Sequence, residues 1–241
     1  MKFDIMTNSF GRIEFIAMLI CTQICILTSS AQIIENQESK PQRCDKTVTF
    51  GDIDICLPVF DNMVECSADP RIKSLIEISN YPGNTILAYY VNDNFFNKLG
   101  NLVQVSTDDY INFYVTNSLK GQPINDSLLN QMGNIMTENY LSENWVDLMK
   151  KLEKNLQYIS VGRPVIIDMY SPSDNVRSFV MLTKIVVSNK ENILVMTANL
   201  IRMKERMVFL AYYKEFNGEE SIKSVKSNND SVVFKLLEFN K

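Results

Sequence analysis

Three consecutive segments near the C-terminal end constrain the fold of this chain more than any other part of the sequence. Residues 178–187, 193–202 and 206–216 contain the tracts FVMLTKIVV, ILVMTANLI and MVFLAYY, which are rich in β-branched and aromatic residues. Short polar connections, residues 188–192 and 203–205, separate them. Runs of this composition with such connections are typical of antiparallel strands. The sequence therefore predicts a three-strand meander.

A hairpin is predicted nearer the N-terminal end of the chain. Residues 47–50 and 53–57 flank Gly51-Asp52, and a two-residue turn that begins with glycine is typical of a tight hairpin. Pro58 ends the second strand because proline cannot donate to a sheet ladder.

Three cysteines lie in or near this hairpin. In the strand register that the predicted Gly51-Asp52 turn sets, Cys44 lies opposite Val59. A bridge from Cys44 to Cys56 would therefore span an offset of about three residues along the ladder. The sequence therefore favours a disulfide between Cys56 and Cys66. The alternative is no bridge, with Cys56 as a small buried hydrophobic residue.

Residues 107–120 are predicted to form a helix that packs on the sheet. Thr107 is followed by Asp108 and Asp109, an arrangement typical of a helix N-terminus. The apolar residues that follow are at helical spacing and precede a glycine: Ile111, Tyr114, Val115 and Leu119.

Other helices and strands complete the predicted fold. The composition favours an α+β class, with a largely antiparallel sheet made of the N-terminal hairpin and the C-terminal meander and covered by helices on both faces. Residues 71–78 are predicted to be helical. Because their apolar and polar residues nearly alternate, a strand is the alternative. The remaining elements are strands at 85–91 and 165–169, two helices or one kinked helix at 126–156, and a helix at 219–240 that Asn228-Asn229-Asp230 interrupts.

The first 31 residues have the pattern of a secretory signal. Residues 15–27 are a largely apolar tract, and the small residues Ser29-Ser30-Ala31 follow it. This pattern predicts export to the periplasm or the extracellular space after cleavage near Ala31. A membrane anchor is the alternative, but the tract is shorter than the about 20 residues that a spanning helix needs. The mature chain is predicted to have a flexible lead at 32–46 and a single α/β domain at 47–241.

Several chemistries are excluded by composition. The chain has no histidine, which removes the usual catalytic triads and every His-ligated metal site. None of its 8 glycines lies in a phosphate-binding loop pattern, and the net charge is −4 without basic runs. We therefore expect no cofactor and no nucleic-acid partner. The oxygen-rich triplets at 92–94 and 173–175 lack the spacing of a calcium loop and indicate turns or caps.

One acid lies inside a predicted strand. Asp168 is in the tract VIIDMY, where a buried acid is unfavourable unless it is paired. Lys184, Arg202 and Lys214 are cations within or at the ends of the meander strands. An ion pair between Asp168 and one of them is favoured over a catalytic role.

The order of elements resembles that of the PsbP-like α/β/α sandwich proteins. The similarity rests on the hairpin that ends at Leu57-Pro58, the meander at 178–216 and the closing helix after Gly218. The helical tract at 126–156 is longer than in that pattern. Because no diagnostic motif accompanies the resemblance, it implies an accessory or binding module without assigning any functional residue.

These observations predict a secreted or periplasmic accessory or binding protein that is not an enzyme and has a protein partner. The outward residues of the last meander turn, Arg202, Lys204 and Arg206, are the predicted contact surface. One alternative is a carboxylate-based hydrolase in which Asp168 shares a pocket with another acid. The other is a carrier of a small ligand or metal ion, and no integral membrane span is expected in the mature chain.

Overall fold

The computed structural model describes residues 44–79, 83–98, 109–137, 159–187 and 190–241. The strands in these ranges are β1 (Cys44–Phe50), β2 (Ile53–Pro58), β3 (Met63–Glu65), β4 (Asn84–Asn92), β5 (Tyr110–Thr116), β6 (Ile159–Val161), β7 (Val165–Tyr170), β8 (Val176–Val187), β9 (Lys190–Met203) and β10 (Arg206–Glu215). The helices are α1 (Pro70–Ser79), α2 (Asp93–Lys98), α3 (Asp126–Ile135) and α4 (Glu219–Phe239), and Asn117–Leu119 is a short 3-10 helix.

The main sheet is antiparallel, and the predicted meander supplies its longest strands. Its order is β3, β4, β5, β10, β9, β8. Both β6 and β7 pair with the outer edge of β8, and β1 and β2 form a separate two-stranded sheet. The predicted α+β class with a largely antiparallel sheet is confirmed, and so is the meander itself.

Two apolar layers lie on opposite faces of the sheet, because successive residues of a strand point to opposite sides. On β8, Val180 belongs to the layer under α4 and the hairpin, whereas its neighbour Phe179 belongs to the layer under α3. The first layer includes Phe50, Leu57, Val180, Val208, Val233 and Leu236. The second includes Ile124, Leu129, Phe179, Met181, Leu200 and Met207. Helices therefore cover both faces, as predicted.

The hairpin has the predicted register at its turn. Phe50 pairs with Ile53, and Thr47 pairs with Cys56. Gly51 has a φ of 65°, a left-handed conformation that glycine adopts without a steric penalty.

The disulfide of the hairpin differs from the prediction. A bulge between Cys44 and Lys46 shifts the register, and the Cα atoms of Cys44 and Cys56 are 5.4 Å apart. These two residues form the disulfide. Cys66 is a buried free thiol that donates to the carbonyl oxygen of Tyr89. The predicted pairing of Cys56 with Cys66 is therefore wrong, because the bulge places Cys44 opposite Pro58 instead of Val59 and brings it within bonding distance of Cys56.

The prediction of a helix at 107–120 is also wrong. Tyr110–Thr116 is the strand β5, which pairs with β4 and β10. The residue before it, Asp109, has a φ of 52°, which is outside the right-handed helical region. Buried and partly buried residues alternate along the strand, and the fully buried ones are Ile111, Phe113 and Val115. This alternation, with a period of two residues, is typical of a strand and outweighs the cap-like sequence that begins at Thr107.

Three other helix predictions are confirmed in the described residues. The segment predicted at 71–78 is α1, which packs on β4, and the C-terminal helix is α4. The start of the segment predicted at 126–156 is α3. The Asn228-Asn229-Asp230 triplet does not interrupt α4, and the side chain of its central residue, Asn229, has the buried hydrogen-bond partners described below.

Several predictions concern residues outside the described ranges. They are the signal segment at 1–31 with its cleavage site, residues 32–43 of the flexible lead predicted at 32–46, and the helical tract after residue 137. Residues 44–46 instead begin β1. Within the described ranges, no helix combines the length and the hydrophobicity needed to cross a membrane.

Candidate functional site

The turn between β9 and β10 presents two charged residues at one end of the sheet. Met203 pairs with Arg206, which leaves Lys204 and Glu205 as a two-residue turn. Their φ angles are 47° and 59°. A type I′ hairpin turn requires such left-handed angles at both positions and usually contains Asn-Gly or Asp-Gly. For Lys and Glu this conformation costs about 1 kcal/mol each.

Arg206 joins this turn to the N-terminal hairpin. Its Nε and Nη2 atoms donate to the carboxylate of Asp52 at 3.0 and 2.8 Å, and its side chain is only 12% exposed. This hydrogen bonding lowers the pKa of Asp52 below its ordinary value. The Nζ atom of Lys204 donates to the carbonyl oxygen of Asp54 at 2.8 Å. We refer to Asp52, Asp54, Lys204, Glu205 and Arg206 as the turn cluster.

The backbone before α3 holds the other side of the turn. The amide of Ile124 donates to the carbonyl oxygen of Glu205 at 2.8 Å. The next residue, Asn125, caps α3 by accepting from the amide of Leu128. The start of α3 is therefore fixed to the same turn.

Arg202 makes a parallel set of contacts on β9. Its Nε atom donates to the side-chain oxygen of Asn175 at 2.9 Å, and its Nη1 atom pairs with the carboxylate of Asp126. The amide of Arg202 also donates to the carbonyl oxygen of Asn175. Arg202 thus connects the loop before β8 with the first turn of α3.

The three predicted contact residues lie at this end of the sheet, and all three have partners within the molecule. Arg202 and Arg206 are partly buried, whereas Lys204 and its neighbour Glu205 are exposed. Asp52 is exposed as well and was not predicted. Since 154 residues separate it from Arg206, no local sequence pattern indicates this pairing.

Asp168 is paired and partly exposed, so the prediction of a buried acid is wrong. Its side chain is 44% exposed, and its carboxylate lies 2.6 Å from the Nζ atom of Lys226 on α4. The hydrogen bond from Lys226 lowers the pKa of Asp168. Lys226 also lies 4.6 Å from the centre of the Tyr170 ring. The pair joins β7 to α4, and its cation comes from that helix instead of the meander.

A buried hydrogen-bond network fixes α4 on the sheet. The Oδ1 atom of Asn229 accepts from the hydroxyl of Thr197 at 2.7 Å and from Nδ2 of Asn199 at 2.8 Å. Its Nδ2 atom donates to the hydroxyl of Tyr170 at 3.2 Å. Asn229 and Thr197 are fully buried. Because these buried polar groups are paired with one another, the network has a structural role.

No metal site is formed by the residues that the structure describes. They contain no group of three or more Cys, Asp or Glu side chains suited to hold an ion. The triplet at 92–94 joins the end of β4 to the start of α2, and Asn94 donates its amide to the side chain of Asn92 there.

Comparison with known proteins gives structural neighbours of low similarity. No protein-family model matches the sequence, and no curated protein matches it. One similar solved structure is a mutant of the protein Mog1, with a TM-score of 0.34 and 11% identity over 81% of this chain and 92% of that chain. Another is the Ran-binding protein Mog1p of Saccharomyces cerevisiae, with a TM-score of 0.31 and 10% identity over 78% and 86% of the two chains.

These neighbours differ from those that the sequence suggested. The similar structures are those of Mog1 and not of PsbP-like proteins, so that resemblance is corrected. Neither neighbour is described as an exported accessory protein, and one is described as a Ran-binding protein. The prediction of a secreted or periplasmic accessory protein, with a signal peptide and export after Ala31, is therefore withdrawn. The alternatives of a carboxylate-based hydrolase and a small-ligand or metal-ion carrier are withdrawn with it.

Proposed function

We propose that this chain binds a protein partner through the turn cluster. The observation that carries the proposal is the conformation of Lys204 and Glu205, two exposed charged residues that both have left-handed backbone angles. Asn-Gly would form the same turn with less strain. Residues that retain backbone strain at an exposed position are found preferentially at binding and switch sites.

The turn is held rigid by contacts on both sides, which favours binding. Arg206 and Lys204 bind the hairpin, and the carbonyl oxygen of Glu205 accepts from the amide of Ile124. A surface that is already ordered loses little conformational entropy when a partner binds. Among the described residues, none pairs with the carboxylate of Glu205, so this group is available to a partner.

The charges of this surface favour a protein over a nucleic acid. Exposed acids, Asp52 and Glu205, lie beside the exposed cation Lys204, and Lys120 is close to the hairpin turn at Gly51. A surface that carries both positive and negative charges complements the mixed charges of a protein surface. A polyanion would be repelled by the two acids.

Site-specific photo-crosslinking in the native host tests the proposal. A photo-reactive residue in place of Lys120, beside the turn cluster, is expected to give an adduct with another protein. The matched control replaces Glu238, an exposed residue of α4, and is expected to give no such adduct.

A stabilising double variant separates binding from folding. The double substitution Lys204→Asn with Glu205→Gly relieves the backbone strain of the turn. We therefore expect the free energy of unfolding to rise by about 1 kcal/mol. The same variant is expected to lose the adduct. Asn62→Gly, at another residue with a positive φ of 59°, is the control and should leave the adduct unchanged. Persistence of the adduct in the double variant would show that the turn does not contact the partner.

A further inference from the structure

The connection between β10 and α4 contains an asparagine followed by a glycine. Of the 8 glycines in the chain, Gly218 alone follows an asparagine, Asn217. Asn217 is exposed, and its side chain makes no hydrogen bond within the part of the chain that the structure describes. Gly218 has a φ of 105°, a conformation that glycine adopts without a steric penalty. A Cβ atom placed on Gly218 would meet no atom within 4 Å outside the adjoining residues, so the space beside it is open.

We propose that Asn217 is a site of spontaneous modification to aspartate or isoaspartate, and that isoaspartate at this position weakens the cap of α4. The backbone nitrogen of Gly218 attacks the Cγ atom of Asn217 and forms a bond with it. The bond from Cγ to Nδ2 breaks, and Nδ2 leaves as ammonia with the proton that Gly218 loses. Water then opens the cyclic imide. Breaking the new bond to Gly218 gives aspartate, and breaking the original main-chain bond gives isoaspartate.

The structure favours ring closure at Asn217 in the folded chain. The attacking nitrogen belongs to a residue without a Cβ atom, so a side chain does not hinder its approach to Cγ. The side chain of Asn217 has no hydrogen bond to break before it turns toward Gly218. Since the two reacting groups belong to adjacent residues, they are already held near each other.

Asn117 is an exposed asparagine in a contrasting environment. A small residue, Ser118, follows it as well. However, the Oδ1 atom of Asn117 accepts from the hydroxyl of Thr85 at 2.8 Å. This hydrogen bond must break before the side chain can turn toward the next residue, and Ser118 has a Cβ atom. Asn117 is therefore expected to react more slowly than Asn217.

The residues at the reaction site also form the cap of α4. The backbone amide of Asn217 donates to the hydroxyl oxygen of Ser221 at 2.9 Å, and the amide of Ser221 donates to the carbonyl oxygen of Gly218 at 3.0 Å. Such contacts satisfy polar groups at the start of a helix. Isoaspartate lengthens the main chain by a methylene group between the two bonded residues, so both hydrogen bonds cannot be kept in their present geometry. Aspartate leaves the main chain unchanged and adds a negative charge near the helix N-terminus, which is favourable there.

Ageing of the purified full chain at mildly alkaline pH tests the modification, because this pH favours loss of the Gly218 amide proton. Peptide mass spectrometry should show the mass change from an amide to an acid at residue 217. An isoaspartate methyltransferase should label the same peptide. Asn117 is the matched control and should be modified more slowly over the same period.

Two variants test the chemistry and its effect on α4. Gly218→Ala should slow the modification about tenfold or more, a change of about 1.4 kcal/mol in the activation free energy, because a Cβ atom hinders ring closure. Because alanine at a φ of 105° is strained, Asn217→Gln is the second variant. It keeps the backbone amide that binds Ser221, but its longer side chain closes the ring much more slowly.

The aged wild type should unfold at a lower urea concentration than the fresh protein, whereas ageing should not change the urea midpoint of Asn217→Gln. An unmodified residue 217, or equal rates at Asn117 and Asn217, would overturn the proposed site. A wild type that contains isoaspartate at residue 217 and keeps its urea midpoint would overturn the proposed effect on the cap.

Discussion

The side-chain amide of Asn240 pairs with both backbone polar groups of Cys56. The amide of Cys56 donates to Oδ1 at 2.7 Å, and Nδ2 donates to the carbonyl oxygen of Cys56 at 2.7 Å. Nδ2 also donates to the carbonyl oxygen of Leu236. The two paired residues are 184 positions apart, and both are buried. This contact fixes the end of α4 to β2.

Asn240→Ala is expected to lower the free energy of unfolding by about 2 kcal/mol, because two buried backbone groups of Cys56 lose their partner. Urea denaturation of the wild type and the variant measures the difference. Lys241→Ala is the control, since Lys241 is exposed. Equal urea midpoints for Asn240→Ala and Lys241→Ala would contradict a stabilising role of the contact between Asn240 and Cys56.

Asn229→Leu is expected to destabilise the protein by about 3 kcal/mol, because the hydroxyl of Thr197 and the amide of Asn199 lose their buried acceptor. Thermal and urea unfolding give the measurement. Ser227→Leu, at an exposed position of the same helix, should change the stability by less than about 0.5 kcal/mol. A similar small effect at Asn229 would show that the network does not fix α4.

Asp168→Asn is expected to destabilise the protein at neutral pH by about 0.5 kcal/mol, a small value because the ion pair with Lys226 is partly exposed. The pKa of Asp168 is lower in the folded chain than its ordinary value of 3.8. The stabilisation that ionised Asp168 provides is therefore present above pH 3.8 and is lost as the pH falls through the pKa of the folded state. Unfolding curves of wild type and variant should converge in acid. A difference that is independent of pH would contradict this assignment, and Asp174→Asn is the control.

Cys44→Ser removes the disulfide and is expected to lower the free energy of unfolding by about 3 kcal/mol, as for a closed loop of this size. Adding a reductant to the wild type should reproduce the loss. The variant itself should be insensitive to reductant. A wild-type chain whose unfolding is the same with and without reductant would show that the bond does not stabilise the fold.

The thiol of Cys66 is expected to be unreactive in the folded chain. Burial raises its pKa to about 12, so the thiolate is scarce at neutral pH. Iodoacetamide should label Cys66 in urea but not in the native protein, as measured by mass spectrometry. Rapid labelling of the native chain would mean that the segment around Cys66 opens readily.

The sequence predicted elements in which a single signal was strong and local. The meander strands have uninterrupted β-branched and aromatic tracts, and their structural bounds lie close to the predicted ones. For β5 two local signals conflict: Thr107 and the acids after it favour a helix cap, whereas Ile111, Phe113 and Val115 alternate as a strand requires. The strand forms because this alternation buries one face of the segment in the sheet, which a cap cannot do.

The candidate site was predicted only in part because its contacts are distant in sequence. Lys204 was found from its position in a turn between strands. Asp52 could not be linked to Arg206, since the pair depends on the placement of the hairpin over the sheet. The disulfide was missed for a similar reason, because the bulge beside Cys44 leaves no recognisable mark in the sequence.

The position of β10 has a consequence for synthesis of the chain. β10 pairs with β5 on one side and β9 on the other, so it joins an earlier-made group of strands to a later one. On the ribosome, β5 therefore has no partner on that side until residues 206–215 have left the exit tunnel. Such non-local pairing slows folding and exposes strand edges to other nascent chains. The synthesis of β10 thus determines when the strands of the main sheet can join.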